Sequence, residues 1–261
     1  MRILVIRNDR LGDFMLAWPA LSLLKHYLPH SQVDVLVPDY TAPMAKICPW
    51  IDHVVTMPNN KPSLTSAMQL GKQLAEQRYD AMISLYASGT TAIAGAWAQI
   101  PYRLAPATKW MQLLATRRLT QRRSHSIKPE FAYNCDLIYC FLQDYGIATR
   151  PLGEIPSTGE FLSTELQRPL LHFSDNDISR VRERFCQQHQ IPTQHRLIFI
   201  HPGSGGSATT LQLVQYATLV SQLDVGKGYH FGITAGPGEA EQATALKALL
   251  CQHQVTILQP E

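Results

Sequence analysis

The sequence is poor in several features that would have assigned it a class at once. Its five cysteines, at 48, 135, 140, 186 and 251, are odd in number and contain no Cys-x-x-Cys pair. That spacing suits neither a disulfide framework nor a zinc site and reads as reduced thiols. No apolar run approaches the ~18 residues that a membrane span requires, and the nearest, TAIAGAWAQI at 91–100, reads as a buried helix. The opening MRILVI is charged, but its apolar run is too short for a signal peptide. Charged residues make up 16% of the 261 positions, below the ~25% usual in soluble domains, so some apolar surface is expected to face a partner or a missing part. A net charge of only +3 argues against a dedicated nucleic-acid binder. These absences predict a soluble, cytoplasmic protein with no nucleic-acid partner, still able to work at a membrane surface.

Further absences concern chemistry. No Gly-Lys-Ser/Thr follows a Gly-rich turn, and no G-x-G-x-x-G register occurs, so neither a Walker loop nor a dinucleotide fingerprint is present. A nicotinamide-dependent dehydrogenase is disfavoured on that ground. None of the ten histidines forms a ligand pattern such as H-E-x-x-H. Asp-Asn-Asp at 175–177 mimics a metal-binding triplet, but Ser174 before it makes a helix cap the better explanation. One absence is local: residues 81–129 hold no Asp or Glu, yet carry Arg103, Lys109, Arg117, Arg118, Arg122, Arg123 and Lys128. Five of those cations, with His125, crowd into RRLTQRRSHSIK at 117–128. A phosphorylated or carboxylated ligand, or an anionic leaflet, would be drawn there; a mobile solvated loop is the plainer alternative.

What is present is a rhythm. Short β-branched runs at 3–6, 33–37, 53–57, 80–85 and 102–105 alternate with helical stretches at 13–28, 40–47, 63–77, 89–98 and 129–147. Alternation of this kind argues for a parallel sheet with helices on both faces, and nearly all-apolar strands fit a sheet covered on both sides. Proline and glycine interrupt the pattern over 148–170, where the domain crossing is expected. The rhythm then restarts: a helix from Ser174, strands at 197–200, 229–234 and 255–258, and helices at 210–222 and 239–252. The expected architecture is α/β, with Rossmann-like domains at 1–165 and 166–261. Three strands bury little, so the second is read as incomplete.

Two kinds of turn stand out. In RNDRLGD at 7–13, Gly12 allows a sharp bend or close approach of a ligand, and Asp13 stands where a helix begins. That carboxylate could cap the helix or take a proton from a reacting hydroxyl. Arg7 and Arg10 flank the turn and could grip a carboxylate or phosphate, whereas Asp9 reads as solvated. HPGSGGS at 201–207 follows a strand and precedes a helix, offering backbone N–H groups and hydroxyls of the kind a phosphate needs. AGPGEAE at 235–241 is a second such turn at the end of a strand, with Glu239 and Glu241 either holding a ribose or adenine or merely favouring a helix N-terminus.

Three segments together carry a resemblance: RNDRLGDFMLAWPALSLLKHYLP, FIHPGSGGSATT and GITAGPGEAEQATAL. The chain resembles the family-9 glycosyltransferases, the ADP-heptose:lipopolysaccharide heptosyltransferases, over essentially its whole length. The resemblance implies a GT-B architecture with the acceptor mostly on the first domain and the nucleotide-sugar mostly on the second. It implies transfer of heptose from ADP-heptose to a lipopolysaccharide inner-core sugar, inverting, metal-independent and without a cofactor. Asp13 becomes the expected base. Arg7, Arg10, Gly12, Arg117, Arg118, Arg122, Arg123 and Lys128 become acceptor contacts; Ser204, Gly205, Ser207, Thr209, Glu239 and Glu241 become donor contacts. A peripheral position at the inner membrane follows. Two departures from the family pattern stand out. Thr209, Thr210, Leu211 and Gln212 replace Lys and the following Asn/His-Trp-Pro, and the family's later Gly-Asn-Asp-Ser/Thr-Gly-Pro loop does not occur. The alternative expectation is therefore a truncated, inactive member that binds nucleotide or acceptor without turnover.

Overall fold

The computed structural model describes residues 1–57, 63–86, 88–107, 113–149, 151–152, 173–204, 209–223, 228–236 and 238–258. The chain divides into two compact units, Met1–His172 and Phe173–Glu261, taken separately below. The expected crossing at 165/166 falls outside the described residues.

The first unit runs β1 (Arg2–Ile6), α1 (Leu11–Met15), α2 (Trp18–Tyr27), β2 (Gln32–Pro38), α3 (Ala42–Lys46), β3 (His53–Met57), α4 (Leu64–Gln77), β4 (Ala81–Ser84), α5 (Gly89–Trp97), β5 (Tyr102–Pro106), β6 (Arg117–Leu119) and α6 (Glu130–Asp144). Its six strands are parallel in the order β3-β2-β1-β4-β5-β6, with Val5 opposite both Val35 and Ile83. Successive side chains leave opposite faces of a pleated strand, and here each face has its own cover. Ile3, Val5, Val35 and Ile83 pack against Leu21 and Leu24 of α2 and Leu137 and Phe141 of α6. Leu4, Ile6, Leu36 and Met82 pack against Leu70 and Leu74 of α4 and Ala94 of α5. Each such fully buried side chain contributes about 1.5–3 kcal/mol. Strand order reverses between β1 and β4, and in open α/β sheets ligands bind beyond the carboxyl ends of the strands at that point.

The expected helix over 13–28 is two helices. Pro19 falls in the first turn of α2, where its missing N–H costs nothing, whereas in one continuous helix its ring would clash with the carbonyl of Met15. The helix expected at 40–47 is a 3₁₀ turn, Asp39–Thr41, followed by α3. The basic stretch contains an edge strand that periodicity did not show, because β6 has only three residues and Arg117 and Arg118 are exposed.

The second unit contains α7 (Asp175–Gln188), β7 (Arg196–Ile200), α8 (Leu213–Leu223), β8 (Tyr229–Thr234), α9 (Ala240–Leu249) and β9 (Val255–Leu258), with parallel strands in the order β7-β8-β9. Ser174 caps α7 by accepting from the Asp177 N–H at 3.1 Å, as the triplet's helix-cap reading requires. One sheet face is well covered: Ile200, Phe231 and Ile233 pack with Val220 of α8 and Ala243 and Leu246 of α9. The other meets α7 through Phe185 and Phe199, 5.7 Å apart between ring centres, and Phe199 stays 55% exposed.

Candidate active site

Strand β1 delivers the chain directly into the turn that carries Asp13. The Arg7 N–H still bonds to the Leu36 carbonyl at 3.1 Å, after which residues 8–10 lead into α1. Arg10, not Asp13, occupies the N-cap, and its side chain makes no capping bond. Asp13 lies inside the first turn, so the capping alternative is not realised. A five-residue helix also has little macrodipole with which to hold a carboxylate. Gly12 is helical rather than sharply bent, and a Cβ built there meets nothing within 4 Å. Of the two reasons for a glycine, only room for close approach remains.

A guanidinium holds Asp13 instead. Arg7 is 4% exposed, and every nitrogen of its fork is engaged. Its Nε donates to Asp9 Oδ1 at 2.8 Å, and its Nη1 to Glu130 Oε1 at 3.1 Å and Asn134 Oδ1 at 3.0 Å. Its Nη2 lies 3.5 Å from Asp13 Oδ1, and the Asp13 side chain is 36% exposed. Asn134 in turn donates to the Leu16 carbonyl at 3.0 Å, tying α6 to the residue just beyond α1. Arg7, expected to grip an acceptor, is therefore turned inward: a buried cation needs paired carboxylates, and Asp9, Glu130 and Asn134 take its Nε and Nη1 donors while Nη2 faces Asp13. Asp9, expected in solvent, is its closest ionic partner, and burial pushes the Asp9 carboxyl above its usual value.

The basic segment is likewise tied down rather than loose. Arg117 Nε donates to Asp144 Oδ2 at 2.8 Å. Arg123 bonds Glu130 Oε1 at 2.5 Å and Gln121 Oε1 at 2.8 and 3.0 Å, while the buried Gln121 donates to the Tyr133 carbonyl at 2.7 Å. Lys128 pairs with Asp136 and lies 4.9 Å from the Tyr133 ring centre. Among the described residues, Arg10, Arg118 and Arg122 are exposed with no carboxylate at ion-pair distance. A groove of about 320 Å³ lies here, lined by Thr120, Gln121, Arg122, Lys128, Tyr133 and Asp136 among others.

In the second unit, Glu239 joins the two Gly-containing turns. Its Oε2 accepts from the Gly236 N–H at 2.8 Å and lies 3.6 Å from His201 Nε2. His201 Nδ1 faces the Thr234 hydroxyl at 2.9 Å, and Gln242 donates to the Pro202 carbonyl at 3.2 Å. A Cβ at Gly203 would fall about 2.1 Å from the Glu239 carboxylate, so a side chain there would displace that carboxylate from its place. Glu239 is thus drawn inward, with a 15% exposed side chain. Glu241 and Thr209 are exposed and Ser204 is half-buried, whereas Gly205 and Ser207 lie outside the described residues.

Sequence reasoning missed Glu130, Asn134, Gln121 and His201. A signal existed for the first two: Glu130 is the first acid after the acid-free run, and Asn134 is four positions on, hence on the same helix face.

No protein-family model matches the chain. It is 42% identical over 257 residues to a protein of Haemophilus influenzae provisionally named a glycosyltransferase, a match that takes in 98% of this chain and 70% of that one. It is 25% identical over 257 residues to lipopolysaccharide heptosyltransferase 2 of Salmonella typhimurium, covering 97% of this chain and 69% of that one. Its fold matches the structure of the Escherichia coli ADP-heptose lipopolysaccharide heptosyltransferase II with a TM-score of 0.76 at 22% identity, over 99% of this chain and 72% of that one. With an α/β GT-B-like fold, and at 42% identity over nearly its full length, the chain belongs to the family-9 glycosyltransferases, the family of the lipopolysaccharide heptosyltransferases.

Proposed function

We propose that this glycosyltransferase moves heptose from ADP-heptose to a sugar of the lipopolysaccharide inner core by a single inverting displacement, with Asp13 as the base. The observation that carries the reading is the Asp13 carboxylate itself. It is part-exposed on the turn after β1, beside a glycine with open space, and backed by a buried arginine. As the acceptor hydroxyl attacks the anomeric carbon, its proton passes to an Asp13 oxygen. The new C–O bond forms on one face, and the bond to the diphosphate breaks on the other, releasing ADP. Arg10, Arg118 and Arg122 attract the anionic acceptor. Ser204, Gly205, Ser207 and Thr209 meet the diphosphate, with no metal required. Thr209 donates one hydrogen bond but cannot neutralise charge, so donor affinity is modest. Glu241 contacts the nucleoside, and Glu239 shapes the turn that receives it. The enzyme works in the cytoplasm, peripheral to the inner membrane; no helix among the described residues is long and apolar enough to cross one.

The test is release of ADP from ADP-heptose in the presence of inner-core acceptor. Asp13→Asn is expected to lower kcat by about 10²–10⁴-fold, the usual contribution of a general base, while calorimetric ADP binding persists. A turnover undiminished in Asp13→Asn sinks the assignment. The second reading, a module that binds without turnover, is favoured by the threonine at 209 and is the outcome if ADP binds but none is released.

A further inference from the structure

One carboxylate oxygen joins the basic segment to Asp13. Glu130 Oε1 accepts from Arg123 Nη1 at 2.5 Å and from Arg7 Nη1 at 3.1 Å, and the same Arg7 faces Asp13. Two guanidiniums are thus shared among the carboxylates of Asp9, Asp13 and Glu130, leaving the cluster one positive charge short. The two cations are not equivalent. Arg7 is 4% exposed and locked, whereas the Arg123 side chain is 20% exposed and sits in the 3₁₀ turn Arg123–His125 of the basic segment.

We propose that Glu130 is a positioning residue that couples anion binding on the 117–128 segment to Asp13 through Arg7. The inference rests on the base and acceptor-grip roles given above and adds the link between them. An anionic group on the acceptor competes for Arg123. Glu130 then draws more heavily on Arg7, whose weakest contact, at 3.5 Å, is the one to Asp13. The Asp13 carboxylate is therefore released from its 3.5 Å contact with Arg7, and free to turn toward the attacking hydroxyl, when the acceptor is seated, and tethered when it is not. No covalent step is added; the device only moves charge around a reaction already described.

The experiment needs no turnover. The full chain is labelled with ¹³C at aspartate carboxyls, the Asp13 resonance is assigned by Asp13→Asn, and inorganic phosphate is titrated as the anionic probe. A saturable displacement of the Asp13 resonance is expected in the wild-type chain and is expected to be lost in both Arg123→Gln and Glu130→Gln. Glu130→Asp, which keeps the charge on a shorter arm, is expected to restore part of it. Absence of any displacement in the wild-type chain overturns the proposal. So does a displacement of full size in Glu130→Gln, which would place phosphate directly beside Asp13. Arg123→Gln alters a partly exposed side chain and keeps the test decisive if the Glu130 variants fail to fold. Failure here leaves the base role untouched, because that role stands or falls on ADP release.

Discussion

The two units solve the same packing problem to different degrees. In the first, six parallel strands have a helical layer on each face, and residues such as Ile3, Leu4, Val5 and Ile6 are 0–1% exposed. Among the described residues of the second, three strands are well covered on one face only. On the other, Phe173, Ile178, Val181 and Phe199 are all more than half exposed around a groove of about 560 Å³. A parallel sheet normally has both faces buried, so the second unit carries less of its stability in its own core. The polar chemistry divides the same way. The first unit buries a guanidinium among three carboxylates, whereas the second builds its turns on glycine and one inward glutamate.

The comparison breaks first at Arg7. Replacing it with leucine removes the buried cation shared by the part-exposed carboxylates of Asp9, Asp13 and Glu130 and leaves the buried Asn134 Oδ1 without its donor, a change of up to about 3–5 kcal/mol; urea denaturation should show it. Core truncation comes next. Leu24→Ala, at a fully buried position of α2, is expected to cost about 2–5 kcal/mol in the first unit.

Acid separates the units by the order in which they soften. Burial, together with the neighbouring His195 and His189, holds the His230 imidazole below its ordinary value of about 6.5. As pH falls below that value the unfolded chain takes up the proton first. The stability this neutral ring supports is present above pH ~6.5 and is lost as pH drops toward the folded value. His230→Gln should flatten the loss, read by thermal melts of the second unit. In the first unit, burial would raise the Asp52 carboxyl, but bonds from Lys25 and the Val33 N–H outweigh it and hold the group below its usual range. Its contribution is present above pH ~3.9 and is lost only on further acidification. Asp52→Asn should remove that late step and little else, because the side chain is 37% exposed. Smallest of all is Val181→Ser on the open face, at 62% exposure. A change within ~0.5 kcal/mol is expected, with reduced binding of a hydrophobic dye. A large destabilisation there would mean the face is covered after all.

Much of the fold was legible. Strands β8 and β9 fall at the residues periodicity indicates, and β7 begins one residue early. The Ser174 cap and the helix it starts are also as read. The failures were local competitions: Pro19 split one helix, and a three-residue edge strand hid inside a run of arginines. The candidate site was half legible. Asp13 and the basic segment could be picked out by residue type and spacing. That Arg7 is a buried anchor could not, because an arginine just past a strand reads the same whether it faces solvent or a carboxylate.

The alternation of apolar strands with helices, the two-unit plan and the family membership were determined by the sequence alone. The first two rest on the 2.0 and 3.6 residue periods of strand and helix, which act over a few positions, and the third on motifs matched along the whole chain. Only the tertiary structure decided which charges meet. Glu130 lies 123 positions from Arg7, and Asn134 lies 127. Strand order and the packing of α6 brought them together. A buried guanidinium must find acceptors somewhere, but nothing in its neighbourhood along the chain says which ones.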